Sequence, residues 1–457
     1  MASSLEFKLK QAIALQERGD GIAAEPLYRA VLAEQPAHAG ANHGLGMLLA
    51  QQGQDAQSLS LFQAALKSQP GVSQYWLSYA SALLATGHPR EAQLVLSRGQ
   101  QRGFAGPAVD ALLQKAQAAL TLSKADLLNE QGTAHAVQGR MTEAIAAYRE
   151  AIAVAPDNAM AHFCLGSIFS ETGKIAEGFA HYMRRATLVH RGPARAQEGP
   201  KPLHRTKHDH EQAEYLASTL GLVSPSTALS YHLEDGARLP GPAVDPANAT
   251  PALVQRWQGS HPQMVVIDGF LTAPALEKLR RYCAGSTIWH RNYDAGYIGA
   301  TPEDGLACPL MAQIAEEIRT TFPQIIGEHA FRYLGAFKYD STLSTGTNTH
   351  ADNSAVNVNL YIAPDEANLD PESGGMDIWD VRAPVGEEMR RYNGDEALAR
   401  DLLERAGAQM ARVPHRANRA IIFKSDFFHK TSDCRFREGY LNKRINISLL
   451  FGDRSGS

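Results

Sequence analysis

Through the first 190 residues, small and large apolar side chains return in fixed phase with glycines at Gly19, Gly53, Gly87, Gly139 and Gly173. The steps between these glycines are 34, 34, 52 and 34 residues. Seven residues before each stands a small residue (Ala12, Gly46, Ala80, Gly132, Gly166), and nine after it a large one (Tyr28, Phe62, Leu96, Tyr148, Tyr182). Ala24, Ala92 and Ala144 fall five after their glycines. This phasing predicts helix pairs that turn at the glycine, with the small position admitting the second helix close to the first. Pro36, Pro70 and Pro156 close their units, because proline cannot continue a helix. The 52-residue step leaves room for an inserted helix around Pro107–Thr121.

From Met264 the pattern changes to strand, helix, then many strands. MVVID is a short β-branched run, and Thr272 is placed to cap a helix with Leu276, Leu279 and Cys283 on one face. Met311–Thr320 reads as a second helix. Alternating or apolar runs follow at Phe331–Tyr339, Ala355–Ile362, Met376–Val381, Ala420–Lys424 and Arg444–Phe451, which predicts a β-sandwich or jelly roll. Residues 191–262 between the two regions are polar and punctuated by Pro225, Pro240, Pro242, Pro246 and Pro251, with a short helix expected at AEYLASTLG. His204, His208 and His210 lack a neighbouring carboxylate cluster, so they read as solvated linker or interdomain packing rather than a metal site.

The helical pattern resembles the tetratricopeptide repeat over roughly residues 5–190. The resemblance implies units stacked into a solenoid with a concave groove. Grooves of that family usually hold an extended peptide or a partner helix; scaffolding or homo-oligomer formation is the other reading. The expected organisation is a multidomain chain: an all-α repeat array over 1–190, a polar linker over 191–262 and a strand-rich domain over 263–457.

Composition narrows the function classes. Lys and Arg total 44 against 48 Asp and Glu, a net charge of −4 without any basic block, so nucleic acid and anionic membranes are unsupported as partners. The N-terminal MASSLEFKLKQ lacks the apolar core of a signal peptide, and no run of 18 apolar residues occurs. Cys164, Cys283, Cys308 and Cys434 show neither metal nor disulfide spacing. A cytoplasmic protein with reduced thiols is expected.

The chemistry concentrates near the C-terminus. His350 and Asp352 stand one residue apart, His429 lies far downstream, and Arg444 follows fifteen residues later. Two histidines and one carboxylate on an open site are the ligand set of non-haem Fe(II) oxygenases. A lone arginine suits the distal carboxylate of 2-oxoglutarate, since guanidinium and carboxylate pair through two hydrogen bonds. Any single H-x-D is weak in a chain with 17 histidines; the ordered set of strands, turn and ligands carries the weight.

Residues 264–452 resemble the prolyl-4-hydroxylase-type branch of the Fe(II)/2-oxoglutarate dioxygenases. The likeness runs through VVIDGFLTAPALEKL, FKYDSTLSTGTNTHADN, ESGGMDIW and FFHKTSDCRFREGYLNKRINISLLFG. It implies a double-stranded β-helix (jelly roll) with flanking helices and iron held by His350, Asp352 and His429. It implies Arg444 on the cosubstrate, rather than the adjoining Lys443, with Tyr339, Tyr361 and Ser448 nearby. Asn357 and Asn359 share the face of Tyr361 and either line the pocket or pack inward. The implied cofactors are Fe(II), 2-oxoglutarate and O2, with ascorbate a candidate reductant. A retained carboxylate at Asp352, where halogenating relatives carry a small residue, implies hydroxylation with release of succinate and CO2. Trp289–Cys308 reads either as a lid bringing Trp289, His290 or Tyr293 to substrate or as an ordinary surface loop with buried aromatics. Three functional readings stand: a hydroxylase of peptide or protein side chains held by the repeats, a small-molecule biosynthetic hydroxylase whose repeats serve assembly, and a non-catalytic adaptor.

Overall fold

Glycine backbone conformation decides where each repeat turns. In a computed structural model of the chain, which describes residues 2–190, 201–220, 236–344, 347–384 and 389–454, all five in-phase glycines have φ between 75° and 87°. That left-handed conformation lets the chain leave one helix and enter the next. The helices so punctuated are α1 (Ala2–Glu17), α2 (Gly21–Glu34), α3 (Ala39–Gln51), α4 (Asp55–Ser68), α5 (Ser73–Ala85), α6 (Pro89–Gln101), α7 (Pro107–Val137), α8 (Met141–Val154), α9 (Ala159–Glu171) and α10 (Ile175–His190). The small positions serve close approach instead. A Cβ added at Gly46, Gly132 or Gly166 would lie 2.8, 2.7 or 2.8 Å from the rings of Phe62, Tyr148 and Tyr182. In these three units the residue seven before the turn therefore faces the residue nine after it.

The helix expected at Pro107–Thr121 does not stop there. No glycine or further proline interrupts the chain until Gly132, so α7 runs on for 31 residues into the first helix of the next repeat.

The chain forms two compact units, Met1–Gln131 with Ala153–Pro156, and Gly132–Ile152 with Asp157–Ser457. In the first, Ala12, Ala24, Tyr28, Val31, Leu45 and Leu48 share one core. In the second, Ile175, Phe179 and Ala186 of α10 join the core of the C-terminal sheet, where Phe179 meets Phe331 edge-on at 5.5 Å.

Helix α11 (Leu203–Leu220) begins ten residues before the expected AEYLASTLG helix and takes in the histidine-rich stretch. His208 on it is buried, its ring 6.4 Å from that of Trp289, so this histidine packs rather than sits in a solvated linker. The expected linker at 191–200 and Pro225 lie outside the described residues. Helix α12 (Pro251–Gly259) follows, started by Thr250, whose side chain accepts from Leu253 N.

The remaining elements are β1 (Met264–Asp268), α13 (Ala273–Gly285), β2 (Arg291–Tyr293), β3 (Tyr297–Ala300), α14 (Pro309–Thr321), β4 (Phe331–Tyr339), β5 (Ser354–Tyr361), β6 (Met376–Arg382), α15 (Met389–Asn393), α16 (Glu396–Arg405), β7 (Met410–Val413), β8 (Arg419–Lys424), β9 (Phe427–Thr431) and β10 (Arg444–Asp453). Thr272 stands at the N-cap position of α13 but does not cap it; its hydroxyl donates to Pro242 O instead. A seven-stranded sheet runs β1-β8-β5-β10-β4-β3-β2, and a three-stranded sheet runs β7-β6-β9. All pairings are antiparallel, as a jelly roll requires.

Alternation divides the large sheet's two faces. Leu334, Ala336, Val356, Val358, Leu360, Ile447 and Leu449 enter the core shared with α13 and α14. Tyr339, Asn357, Asn359, Tyr361, Arg444, Asn446 and Ser448 occupy the opposite face, and Tyr361 there packs with Met376 and Ile378 of the small sheet. That polar inner face positions the site.

Candidate metal centre

The run AIIFKSDFF does not form one strand. It breaks at Ser425 and Asp426, sending β8 into the large sheet and β9 into the small one. The break is held by Ser425, whose hydroxyl accepts from Ser354 Oγ at 2.8 Å and whose carbonyl accepts from Asp352 N at 2.9 Å. Asp352, on the loop leading into β5, and His429 of β9 are thereby drawn together.

One ligand atom each from His350, Asp352 and His429 lie within 4.8 Å of one another. His350 Nδ1 is 2.8 Å from Asn348 O, and His429 Nδ1 is 2.9 Å from Phe427 O. A carbonyl can only accept, so each Nδ1 carries the proton and each Nε2 keeps its lone pair for a metal. Asp352 Oδ2 accepts from Asn357 Nδ2 at 2.9 Å and stands 3.5 Å from His429 Nε2. Burial holds His350 below its ordinary pKa, which favours the neutral ring. Burial alone would raise Asp352, but hydrogen bonding, that from the Asn357 amide included, opposes it, and the carboxyl lies below its ordinary range. Two imidazoles whose Nε2 atoms converge with one carboxylate fit a divalent transition metal. The part played by Asn357 escapes a reading by motif, since alternation assigns it a face but no partner.

Arg444, 1% exposed, lies on the inner face of β10. Its Nε donates to Gly374 O at 2.6 Å, Nη2 to Gly375 O at 3.1 Å and Nη1 to Asn446 Oδ1 at 2.7 Å. Its guanidinium carbon sits 4.7 Å from the Tyr339 ring centroid and 5.2 Å from that of Tyr361. Among the described residues no carboxylate is paired with it. A buried cation held only by neutral groups is costly, and one N–H on each terminal nitrogen remains to receive an anion. The site therefore fits the carboxylate of a keto acid. Lys443 points the other way, to Asp340 and to Glu211 at 3.2 Å.

Ser448 Oγ accepts from Asn359 Nδ2 at 2.9 Å and lies 3.5 Å from Asn446 Nδ2, which links it to the arginine's neighbour. Asn357 and Asn359 face inward; each amide nitrogen is used, and each carbonyl oxygen lacks a partner among the described residues. The Tyr361 hydroxyl is likewise unpaired. Burial raises the pKa of Tyr339 and Tyr361, so both keep their protons and can donate. His415, not singled out from the sequence, presents its ring 5.4 Å from Tyr361 and donates from Nε2 to Ala363 O at 3.2 Å. A lone histidine in a turn carries no spacing signal that could have marked it.

Trp289–Cys308 contains two short strands and buries its tryptophan. Its β2–β3 hairpin pairs onto β4 and extends the large sheet. Trp289 is buried beside His208, its indole N–H on Cys283 O at 3.0 Å. His290 stacks on His190 at 3.7 Å, and Tyr293 stacks on Tyr297 at 4.5 Å. Trp289 and His290 thus face the scaffold.

Family models for the tetratricopeptide repeat match residues 9–73 and 132–173, so the chain carries such repeats. None of the curated proteins compared matches it. Among solved structures, the non-heme alpha ketoglutarate dependent epimerase SnoN from nogalamycin biosynthesis is 17% identical over 46% of this chain and 84% of its own, with a TM-score of 0.34. The non-heme alpha ketoglutarate dependent carbocyclase SnoK, from the same biosynthesis, is 14% identical over 47% and 87%, also at 0.34. YrrB, a TPR protein with an unusual peptide-binding site, is 14% identical over 40% and 84%, at 0.22. Likenesses this distant carry no argument about the site, which stands on its own geometry. Among the described residues no helix is long and apolar enough to cross a membrane.

Proposed function

We propose that the chain is an Fe(II)- and 2-oxoglutarate-dependent dioxygenase that hydroxylates a side chain of a peptide or protein held by its repeats. The convergence of two Nδ1-protonated imidazoles and one carboxylate, on an inner face that also buries Arg444, supports this reading most strongly. His350, Asp352 and His429 would hold the iron, and Arg444 the distal carboxylate of 2-oxoglutarate. When bound, the pair would supply the oxidation, consuming O2 and releasing succinate and CO2 as one oxygen atom passes to the substrate.

The chain's own groups do the positioning. Backbone carbonyls of Asn348 and Phe427 fix the ring orientations, and Asn357 turns the Asp352 carboxylate. Tyr339 and Tyr361 flank the guanidinium and offer hydroxyl donors beside it. Tyr361, Ile378, Phe423 and Phe427 build an apolar wall that excludes water. The peptide part of the reading rests on the repeats, whose stacked units make extended concave surfaces suited to polypeptides.

The test is incubation of the full chain with Fe(II), 2-oxoglutarate and a peptide library. A product 16 Da heavier, lost in His350→Ala, supports it. Succinate release without any modified peptide points to a small-molecule substrate, with the repeats serving assembly. No succinate under any condition overturns the enzymatic reading.

A further inference from the structure

The loop carrying two of the three candidate ligands belongs to no strand, and side chains from outside both sheets hold its backbone. Asn393, the last residue of α15, accepts from Ala351 N through Oδ1 at 3.0 Å and donates from Nδ2 to Ala351 O at 2.8 Å. One carboxamide thus pairs both peptide groups of the residue between His350 and Asp352, as a neighbouring strand would. Glu396, the first residue of α16, accepts from the Thr349 amide at 2.6 Å and from the Thr349 hydroxyl at 2.9 Å. Thr349 immediately precedes His350. The Ala351 methyl is buried in a cluster with Tyr392, Ala399 and Phe428, so the loop also packs onto this helical insertion between β6 and β7. Neither Asn393 nor Glu396 belongs to the convergent ligand group.

We propose that Asn393 and Glu396 are positioning residues for the metal site, clamping 349–352 in the backbone conformation that aims His350 and Asp352 at one ion. The proposal rests on the metal reading above and adds a cause for the site's geometry. Without the clamp only the backbone bonds of His350 and Asp352 hold the loop, so metal binding must complete the ordering of Thr349 and Ala351. Fixing a residue's backbone costs about 1–2 kcal/mol, and that cost appears as weaker affinity. Partners of metal ligands typically contribute about 10–100-fold in this way.

The full chain binding Co(II) provides the test, read by equilibrium dialysis, by the visible ligand-field spectrum and by metal-free thermal unfolding. Asn393→Ala and Glu396→Ala should each weaken Co(II) binding about 10–100-fold and change the visible band. Glu396→Gln, which keeps one acceptor oxygen, should recover part of the loss. Glu404→Gln, an exposed change on the same helix, should match wild type. Should Asn393→Ala fail to fold, Thr349→Val removes only the hydroxyl contact and should still weaken binding several-fold. Wild-type affinity and spectrum in both alanine variants, while His350→Ala has lost the ion, would overturn the clamp alone. Undiminished binding in His350→Ala would overturn the metal assignment and the clamp with it.

Discussion

His350 and His429 are bonded to each other through their backbones: His350 N donates to His429 O at 3.0 Å, and His429 N donates to His350 O at 2.8 Å. This two-way bridge between residues far apart in sequence sets the imidazole centroids 4.3 Å apart. Because main chain pairs with main chain, the bridge outlasts removal of either ring. His350→Ala should therefore shift the metal-free melting temperature by only about 2–4 °C while abolishing metal-induced stabilisation. Thermal scans with and without Mn(II) check this. A variant that melts far lower without metal would mean the ring, not the bridge, holds the loop.

Arg444→Lys keeps the charge but loses the planar fork that donates to Gly374 O, Gly375 O and Asn446 Oδ1 at once. Calorimetric titration of the metal-loaded variant should show 2-oxoglutarate binding weakened by about tenfold or more. Arg444→Ala should in addition destabilise the fold by about 1–3 kcal/mol, because buried carbonyls lose their donors. Unchanged 2-oxoglutarate affinity in the lysine variant would remove Arg444 from the cosubstrate site.

Lys338 lies on the other face of β4 from Tyr339, buried, with Nζ 3.5 Å from the Tyr440 ring centroid. Burial pulls its pKa down from 10.5 to about 7. Between those values the unfolded chain holds the proton and the folded chain does not, so stability rises with pH across that window. Below about pH 7 both states are protonated and the folded protein bears the full burial penalty. Lys338→Met should therefore be more stable than the parent at pH 6, by about 1–4 kcal/mol. The gain should shrink toward pH 10 in urea unfolding, and a gap independent of pH would contradict it.

Three glycines of the repeats separate two physical causes. Gly166→Ala drives a Cβ to 2.8 Å from Tyr182 and should cost about 1–3 kcal/mol by overpacking. Gly53→Ala meets nothing within 4 Å, yet its φ of 75° should cost about 1–2 kcal/mol. Gly71 has open space and no left-handed backbone, so Gly71→Ala should be neutral or stabilise by about 0.4–1 kcal/mol. Thermal unfolding of the three variants ranks them.

These residues also show what is legible in the sequence. Gly53 and Gly166 are readable because each obeys a local rule, a turn or a close approach, repeated in phase. Tyr339, Tyr361 and Arg444 are readable through the family resemblance of the motifs that carry them, while alternation adds only that Asn357 and Asn359 share the face of Tyr361. The passage of β9 into the other sheet is not readable, because the bend after Lys424 depends on Ser425 meeting Ser354 from another strand. The course of α7 hides for the opposite reason: nothing between Pro107 and Gly132 says stop. Asn393 and Glu396 leave no trace at all, since a side chain that holds a distant backbone creates no periodicity. Between the solvated and packed readings of His208 its polar neighbours cannot choose, because its burial depends on Trp289, far downstream.

Anomalous diffraction from crystals of the full chain grown anaerobically with Mn(II) tests the central claim most directly. The account predicts one strong peak bonded to His350 Nε2, His429 Nε2 and a carboxylate oxygen of Asp352. No peak at that point, or a peak held by other side chains, would contradict it.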